Sequence, residues 1–210
     1  MITELKPIEW LKHAVTHPFE GFEDMRWKKA GSLKIAFSIV FLLFISQIAE
    51  ERLYGFQFYI PYDKIFNIVP FIMKSFVIFA AWTIGNRAVC TFLDGEGTLR
   101  NICIYSAYAL VPYVAQSFIN TLLSHFLIRD EYVFMESIRI IGVCWTLLLL
   151  FSAVKSVHQY SFARTISAVV FTVAAMFIML FLLVLFMSLI QQIYLFISTV
   201  YMEITYRLRS

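Results

Sequence analysis

The chain has 210 residues, of which 60% are hydrophobic and 15% are charged, and its formal net charge is +3. Soluble domains usually carry about 25% charged residues, because charged side chains keep a large surface in contact with water. The sequence therefore predicts an integral membrane protein without a separate soluble domain. The small net charge argues against a nucleic-acid partner. The three cysteines have neither CxxC spacing nor an even count, which indicates neither a disulfide framework nor a zinc site.

The first 32 residues predict a short amphipathic segment ahead of the first span. Apolar side chains follow helical spacing up to His17, and Pro18 then ends one helix and begins another. Aromatic residues interleaved with lysine and arginine beside a span are typical of a helix at the membrane interface. We expect four aromatic residues to contact that interface, with a partner-docking helix as the alternative: Trp10, Phe19, Phe22 and Trp27.

Five apolar segments are each long enough to cross about 30 Å of hydrocarbon at about 1.5 Å per residue. They cover residues 33–49, 70–93, 101–128, 137–154 and 165–200. The expected fold is all-α, with a five-helix membrane domain over residues 33–210. The last segment exceeds one crossing, so its helix either projects from the bilayer or bends near Ser188–Gln192 and lies along the interface.

The distribution of lysine and arginine favours a cytoplasmic amino terminus, an external carboxyl terminus and a plasma-membrane location. With that orientation, ten of these residues are cytoplasmic: Lys6, Lys12, Arg26, Lys28, Lys29, Lys34, Arg87, Arg100, Lys155 and Arg164. Seven are external: Arg52, Lys64, Lys74, Arg129, Arg139, Arg207 and Arg209. We expect Lys74, near the start of the second span, to extend its ammonium group toward the outer interface.

The connection between the second and third spans is the most distinctive part of the chain. Asp94-Gly95 predicts a turn, and Gly97 follows Glu96 to close a tight loop. Thr98 is a candidate N-cap for the third span. Two further residues precede this loop in the second span, Asn86 and Arg87, and we expect Arg87 to reach the interface or to pair with Asp94 or Glu96.

Four residues of the third span follow strict i,i+4 spacing, so they share one face of a helix: Tyr108, Pro112, Gln116 and Asn120. Polar groups inside a bilayer are unfavourable unless they are paired. We interpret this stripe as an interface, either between helices of the bundle or with a partner protein, and a path for a substrate is the alternative.

Two groups of residues could in principle bind a metal or catalyse a reaction, but each has a simpler interpretation. Glu9, His13 and His17 are spaced to share a helix face, but Pro18 disfavours helix at His17, which favours a solvated surface over a metal site. The pair Glu50-Glu51 has superficial similarity to paired glutamates of intramembrane proteases, without the arginine spacing that those enzymes use. We predict no catalytic residue, metal ligand or cofactor. His158 is expected to form a hydrogen bond that joins its loop to the 94–100 loop.

Five stretches together resemble the bacterial branch of the Yip1 family: His17–Phe22, Asn86–Arg87, Asp94–Thr98, Tyr105–Tyr113 and His158–Phe162. The resemblance covers the chain from about residue 17 onward. It implies five spans with a cytoplasmic amino terminus and no catalytic residues. Eukaryotic relatives associate with Rab GTPases and assist vesicle traffic.

Three functions remain open at this point. The favoured one is a non-enzymatic accessory or scaffold protein that binds another membrane protein, such as a transporter or permease complex, through spans two and three and the 94–100 loop. The second is an oligomeric transporter or channel subunit, with the face from Tyr108 to Asn120 lining the path. The third is a bilayer-shaping or membrane-trafficking protein. The expected partners are the lipid bilayer and either a membrane protein or further copies of the chain.

Overall fold

The computed structural model describes residues 6–58 and 66–209, and within them it contains helices but no strand. The predicted all-α fold with five helices able to cross a membrane is confirmed. These helices are Leu33–Arg52, Val69–Phe92, Leu99–Leu123, Arg129–His158 and Phe162–Leu208. Lys64, which the orientation count used, lies outside the described residues.

Two short helices precede the first span, α1 (Pro7–Thr16) and α2 (Glu20–Trp27). Pro7 lies in the first turn of α1, where its missing amide hydrogen has no helical acceptor to lose. Gly21 lets the two helices approach closely, because a Cβ there would lie 2.7 Å from Ala14 Cα and 2.7 Å from the His13 carbonyl oxygen. The predicted helix break at Pro18 is confirmed.

The first span is the single helix α3 (Leu33–Arg52), whereas the second changes its winding. It begins as α4 (Val69–Ile72), passes through a π-helical segment (Met73–Val77) and continues as α5 (Ile78–Phe92). A π-helical turn adds a residue to the turn, so it displaces the side chains that follow relative to a regular α-helix.

The third span is divided at Leu110 into α6 (Leu99–Ala109) and α7 (Val111–Leu123). Pro112 has no amide hydrogen for the carbonyl oxygen of Tyr108, so the regular helical ladder is interrupted here. The Leu110 amide instead bonds to the Ala107 carbonyl oxygen at 3.1 Å, which tightens the turn. Helical bonding resumes where the Val114 amide donates to the Leu110 carbonyl oxygen at 3.0 Å.

The last two spans are α8 (Tyr132–His158), which follows a short 3-10 turn, and α9 (Phe162–Arg209). Gln159 ends α8 in a left-handed conformation with φ of 56°. Helix α9 has 48 residues, so it is about 72 Å long at 1.5 Å per residue. It continues without a break through Ser188–Gln192, and only 6% of its most apolar stretch is buried.

A core of aromatic and aliphatic side chains joins α1 and α2 to the membrane helices. Phe22 and Met25 are fully buried, and the Phe22 ring lies 5.8 Å from that of Tyr105. Leu149 of α8 and Ala36 of α3 belong to the same cluster. Residues 7–27 are therefore packed into one end of the bundle. They do not form a separate surface segment.

Candidate functional site

The loop between α5 and α6 is folded tightly against the end of α8. Asp94 has a φ of 55°, and the Gly95 amide donates to the Cys90 carbonyl oxygen at 2.7 Å. A Cβ at Gly95 would lie 2.5 Å from the Tyr160 hydroxyl oxygen, and one at Gly97 would lie 2.7 Å from Cε1 of the His158 ring. Only glycine fits at either position without a shift of the surrounding atoms.

His158 is the centre of this contact and is 1% exposed. The Gly97 amide donates to His158 Nδ1 at 3.3 Å, so the ring hydrogen of a neutral imidazole lies on Nε2 and faces Asn86 Oδ1 at 3.0 Å. Asn86 Nδ2 in turn donates to Thr172 Oγ1 at 3.2 Å. This chain of hydrogen bonds joins α5, α8, α9 and the loop, and it confirms the expected link between His158 and the 94–100 loop.

Two arginines hold the same loop from its other sides. Arg87 Nη1 donates to the Gly97 carbonyl oxygen at 2.6 Å. Arg26 Nη1 donates at 2.9 Å to the carbonyl oxygens of both Ser156 and Val157, and Arg26 Nη2 pairs with the Glu96 carboxylate. Arg26 therefore satisfies carbonyl groups at the end of α8 that have no helical partner, where the helix dipole also favours a cation.

We call four side chains the loop clamp: Arg26, Arg87 and His158, which bond to residues 93–98, and Asn86, which bonds to His158. Arg87 had been expected to reach the interface or to pair with Asp94 or Glu96, but it bonds to the loop backbone. Glu96 pairs instead with Arg26, a partner that no sequence pattern predicts. The contacts of Arg26 depend on the position of α2 against α8, which no local pattern records.

Tyr160 packs against the His158 side chain of the clamp. Its ring stacks on that of His158 with centroids 5.2 Å apart and an interplanar angle of 16°. Its hydroxyl donates to the Cys90 carbonyl oxygen at 3.2 Å. Burial raises the pKa of the Tyr160 hydroxyl, so this group keeps the proton that it donates.

The polar stripe of the third span divides at the Leu110 break. The Tyr108 hydroxyl accepts from the Ser32 amide at 3.1 Å, close to the start of α3. Asn120 Nδ2 donates to Gln116 Oε1 and to the Met135 carbonyl oxygen, each at 3.2 Å. Gln116 also packs closely on Gly142 of α8, while Pro112 marks the kink. Tyr108, Gln116 and Asn120 are buried inside the bundle.

The four aromatic residues assigned to the membrane interface separate into two pairs. Phe19 is 52% and Trp27 is 73% exposed, whereas Trp10 is 6% and Phe22 is 0% exposed. Trp10 and Phe22 contact protein and not lipid, because α1 and α2 turn one face toward the core. The prediction of lipid contact is wrong for these two residues.

Polar groups of α8 fix the amino-terminal helices, and sequence reasoning did not identify them. Trp145 Nε1 donates to the Val15 carbonyl oxygen at 3.1 Å. The Ser152 hydroxyl donates to the Pro18 carbonyl oxygen at the break between α1 and α2. Both contacts join residues more than a hundred positions apart, so no spacing within α8 indicates them.

The two other constellations do not assemble. His13 pairs with Asp24 at 3.0 Å, and Glu9 accepts from the Lys6 amide at 2.8 Å. Glu50 accepts from the Ser117 hydroxyl at 3.0 Å, while His125 Nε2 contacts the Leu53 carbonyl oxygen at 2.7 Å. Across residues 6–58 and 66–209, no group of three metal-binding side chains is present.

Five membrane-crossing helices and a clamped connecting loop define a multi-pass helical membrane protein. A family model described as the Yip1 domain matches residues 12–186, from within α1 to the middle of α9. The chain belongs to the Yip1 family, a non-enzymatic family of membrane proteins. No curated protein and no solved structure matches it.

Proposed function

We propose that this protein is a non-enzymatic accessory or scaffold protein that binds another membrane protein through spans two and three and their loop. The observation that carries the proposal is the clamp, because it orders residues 93–98 before any partner arrives. A binding surface that is already ordered loses less conformational entropy on association than a mobile loop does. A loop held by three side chains, of which His158 is itself bonded to Asn86, suits this role.

The outward side of the clamped loop offers both apolar and charged groups. Phe92 is 88% and Leu99 is 50% exposed, and Asp94 and Arg100 are exposed beside them. Large exposed aromatic and aliphatic side chains, next to charges that set orientation, are typical of protein-binding surfaces. We call these four residues the loop surface.

Two features favour this function over the alternatives. Of Gln116 and Asn120, which a transport path would use, Asn120 donates both to Gln116 and to the Met135 carbonyl oxygen of α8. Trp10 and Phe22, which a bilayer-shaping segment would insert into lipid, are buried. Both observations assign structural roles to the residues on which those functions would depend.

We further propose that the protein resides in the plasma membrane with the clamp end in the cytoplasm. The ten cytoplasmic lysines and arginines of the positive-inside count support this orientation. The test uses intact cells that express a cysteine-free variant of the protein. A single cysteine introduced at Thr98 should not react with a membrane-impermeant maleimide, whereas one introduced at Asp130 should react. The reverse labelling pattern would overturn the orientation.

Gentle detergent extraction, crosslinking and identification of co-purifying proteins test the scaffold function. The variant Phe92→Ser/Arg100→Glu changes the loop surface without touching the clamp. The matched control Phe126→Ser/Arg129→Glu makes the same changes at the opposite end, where Phe126 is 81% exposed.

We expect the wild type and the control to retain one membrane protein in fixed stoichiometry, and the loop-surface variant to lose it. Equal retention by all three proteins would refute a role for the loop. Recovery of the wild type alone or as a homo-oligomer would refute the scaffold function itself.

A further inference from the structure

A cavity of about 710 Å³ lies at the end of the bundle opposite the clamp, between α3 and the second span. Ligand sites in proteins commonly enclose about 300–1,000 Å³. Apolar side chains line one part of this cavity: Leu43, Phe71, Ile78, Phe79, Leu150 and Met176. Polar and charged side chains line another part: Gln47, Glu50, Glu51, Lys74, Tyr113 and Arg139.

Most of the charged groups lie near the ends of the helices, and most of the apolar groups lie deeper. Glu50 and Glu51 are close to the end of α3, and Lys74 follows the start of the second span. Trp82, which also lines the cavity, is eight residues beyond Lys74 and so about 12 Å further into the bundle. The cavity is therefore amphiphilic along its depth.

A second cavity of about 550 Å³ shares Glu50 and Arg139 with the first and adds Tyr54, Tyr132 and Arg129. Tyrosine is enriched at the boundary between hydrocarbon and water. The two cavities together provide space on both sides of the shared charged pair. The deeper space suits an acyl chain and the outer space suits a headgroup.

Two residues that line this cavity each have a polar atom that is buried without a partner among the described residues. These atoms are Ser75 Oγ, whose residue is 0% exposed, and Gln47 Oε1. More than nine in ten buried polar groups are bonded, so such atoms indicate a missing partner. Ser75 also lies in the π-helical segment Met73–Val77, and π-helical turns occur frequently at functional sites.

Within the part of the chain that the structure describes, no carboxylate lies within 4.0 Å of the Lys74 ammonium group. Arg139 is 3.6 Å from Glu136, and 57% of its side chain is exposed. The charged part of the cavity thus offers cations that can bind a phosphate and carboxylates that can bind an ammonium group. That combination is complementary to a headgroup that carries both a negative and a positive charge.

We propose that the cavity binds one zwitterionic phospholipid from the surrounding bilayer. Lys74 and Arg139 bind its phosphate, Glu50 and Glu51 bind its amine, and an acyl chain fills the space beside Ile78. This inference is independent of the scaffold function, because the loop surface lies at the other end of the bundle.

The experiment uses the full chain reconstituted in vesicles of equimolar phosphatidylethanolamine and phosphatidylglycerol. The protein is re-extracted, washed in detergent and weighed by native mass spectrometry, which counts the lipids that each chain retains. We expect one phosphatidylethanolamine per chain, with phosphatidylglycerol washed away. Retention of both lipids alike, or of neither, would overturn the proposal.

Two variants and one control locate the lipid. Ile78→Trp fills the deep space and should abolish retention, whereas Ile119→Trp makes the same change on an exposed face of α7 and should retain the lipid. Lys74→Gln removes a charge from an exposed position and should weaken retention about tenfold, which corresponds to the loss of one charged hydrogen bond. Lys74→Gln leaves the packing intact. It therefore still tests whether the lipid binds in this cavity if Ile78→Trp fails to fold. Retention by Lys74→Gln equal to that of the wild type would refute the headgroup assignment.

Discussion

The clamp end and the cavity end of this bundle differ in whether their buried polar groups have hydrogen-bond partners. At the clamp end, both ring nitrogens of His158 have partners, and Arg26 satisfies the last carbonyl groups of α8. At the cavity end, Ser75 Oγ and Gln47 Oε1 are buried and lack partners among the described residues. Satisfied polar groups make one end rigid, and unsatisfied ones give the other end a capacity to bind.

The largest effect should come from His158→Ala, which removes a buried ring and leaves Asn86 Oδ1 and the Gly97 amide without partners. We expect the free energy of unfolding in mixed micelles to fall by about 4 kcal/mol. The control His125→Ala removes an exposed ring with a single contact to Leu53 and should change it by less than about 1 kcal/mol. Equal losses in both variants would remove the distinction between a clamped and an open end.

A second variant, Gly97→Ala, tests the close approach of the loop to α8. The added Cβ would meet Val157 and would lie 2.7 Å from His158 Cε1, so we expect a loss of about 2–3 kcal/mol. Gly85→Ala is the matched control, because its Cβ would meet nothing closer than 3.6 Å. Helix propensity favours alanine at that position. Thermal unfolding in detergent compares the two variants, and a tolerated Gly97→Ala would show that the loop is free to move.

Within the clamp, Arg26 should contribute more than its ionic partner. Arg26→Gln loses two bonds to carbonyl groups of α8 together with the Glu96 pair, and we expect a loss of about 1–2 kcal/mol. Glu96→Gln removes only the pair, and 66% of the Glu96 side chain is exposed, so solvent screening should limit its loss to about 0.5 kcal/mol. Denaturant titration of both variants separates the helix-capping role from the ion pair. A larger loss for Glu96→Gln would contradict this division.

The smallest effect is expected at the cavity end, from Ser75→Ala. The hydroxyl has no partner in the described structure, so its removal should change the free energy of unfolding by less than about 0.5 kcal/mol or increase it slightly. The unfolding is measured in lipid-free detergent. Ser106→Ala provides the contrast, since it removes the acceptor of the Trp82 indole hydrogen bond at 2.9 Å. A Ser75→Ala variant as destabilised as Ser106→Ala would place a structural partner at Ser75.

Local signals predicted the fold well where chain geometry alone decides it. Pro18 predicted a break between two helices, and α1 ends at Thr16 while α2 begins at Glu20. Asp94-Gly95 predicted a turn, and the turn is present. The apolar lengths predicted the number of spans, because bilayer thickness sets that length directly.

The sequence did not predict what the helices face. Phe22 and Trp27 occur in the same amphipathic pattern, yet one is buried and the other is 73% exposed. An apolar face has the same spacing whether it packs on protein or on lipid. No sequence pattern marks the π-helical segment around Lys74. The sequence therefore predicted only a charge near the end of a span, and it did not predict the cavity that lies there.

Helix α9 has a mechanical consequence. Its early turns are packed, with Thr165, Ala168 and Thr172 fully buried, whereas most side chains from Val184 to Leu208 are exposed. From Thr172 to Tyr206 the rod measures about 51 Å. A rotation of roughly 10° about the packed turns would displace its far end by about 9 Å, so α9 would magnify small rearrangements beside α5.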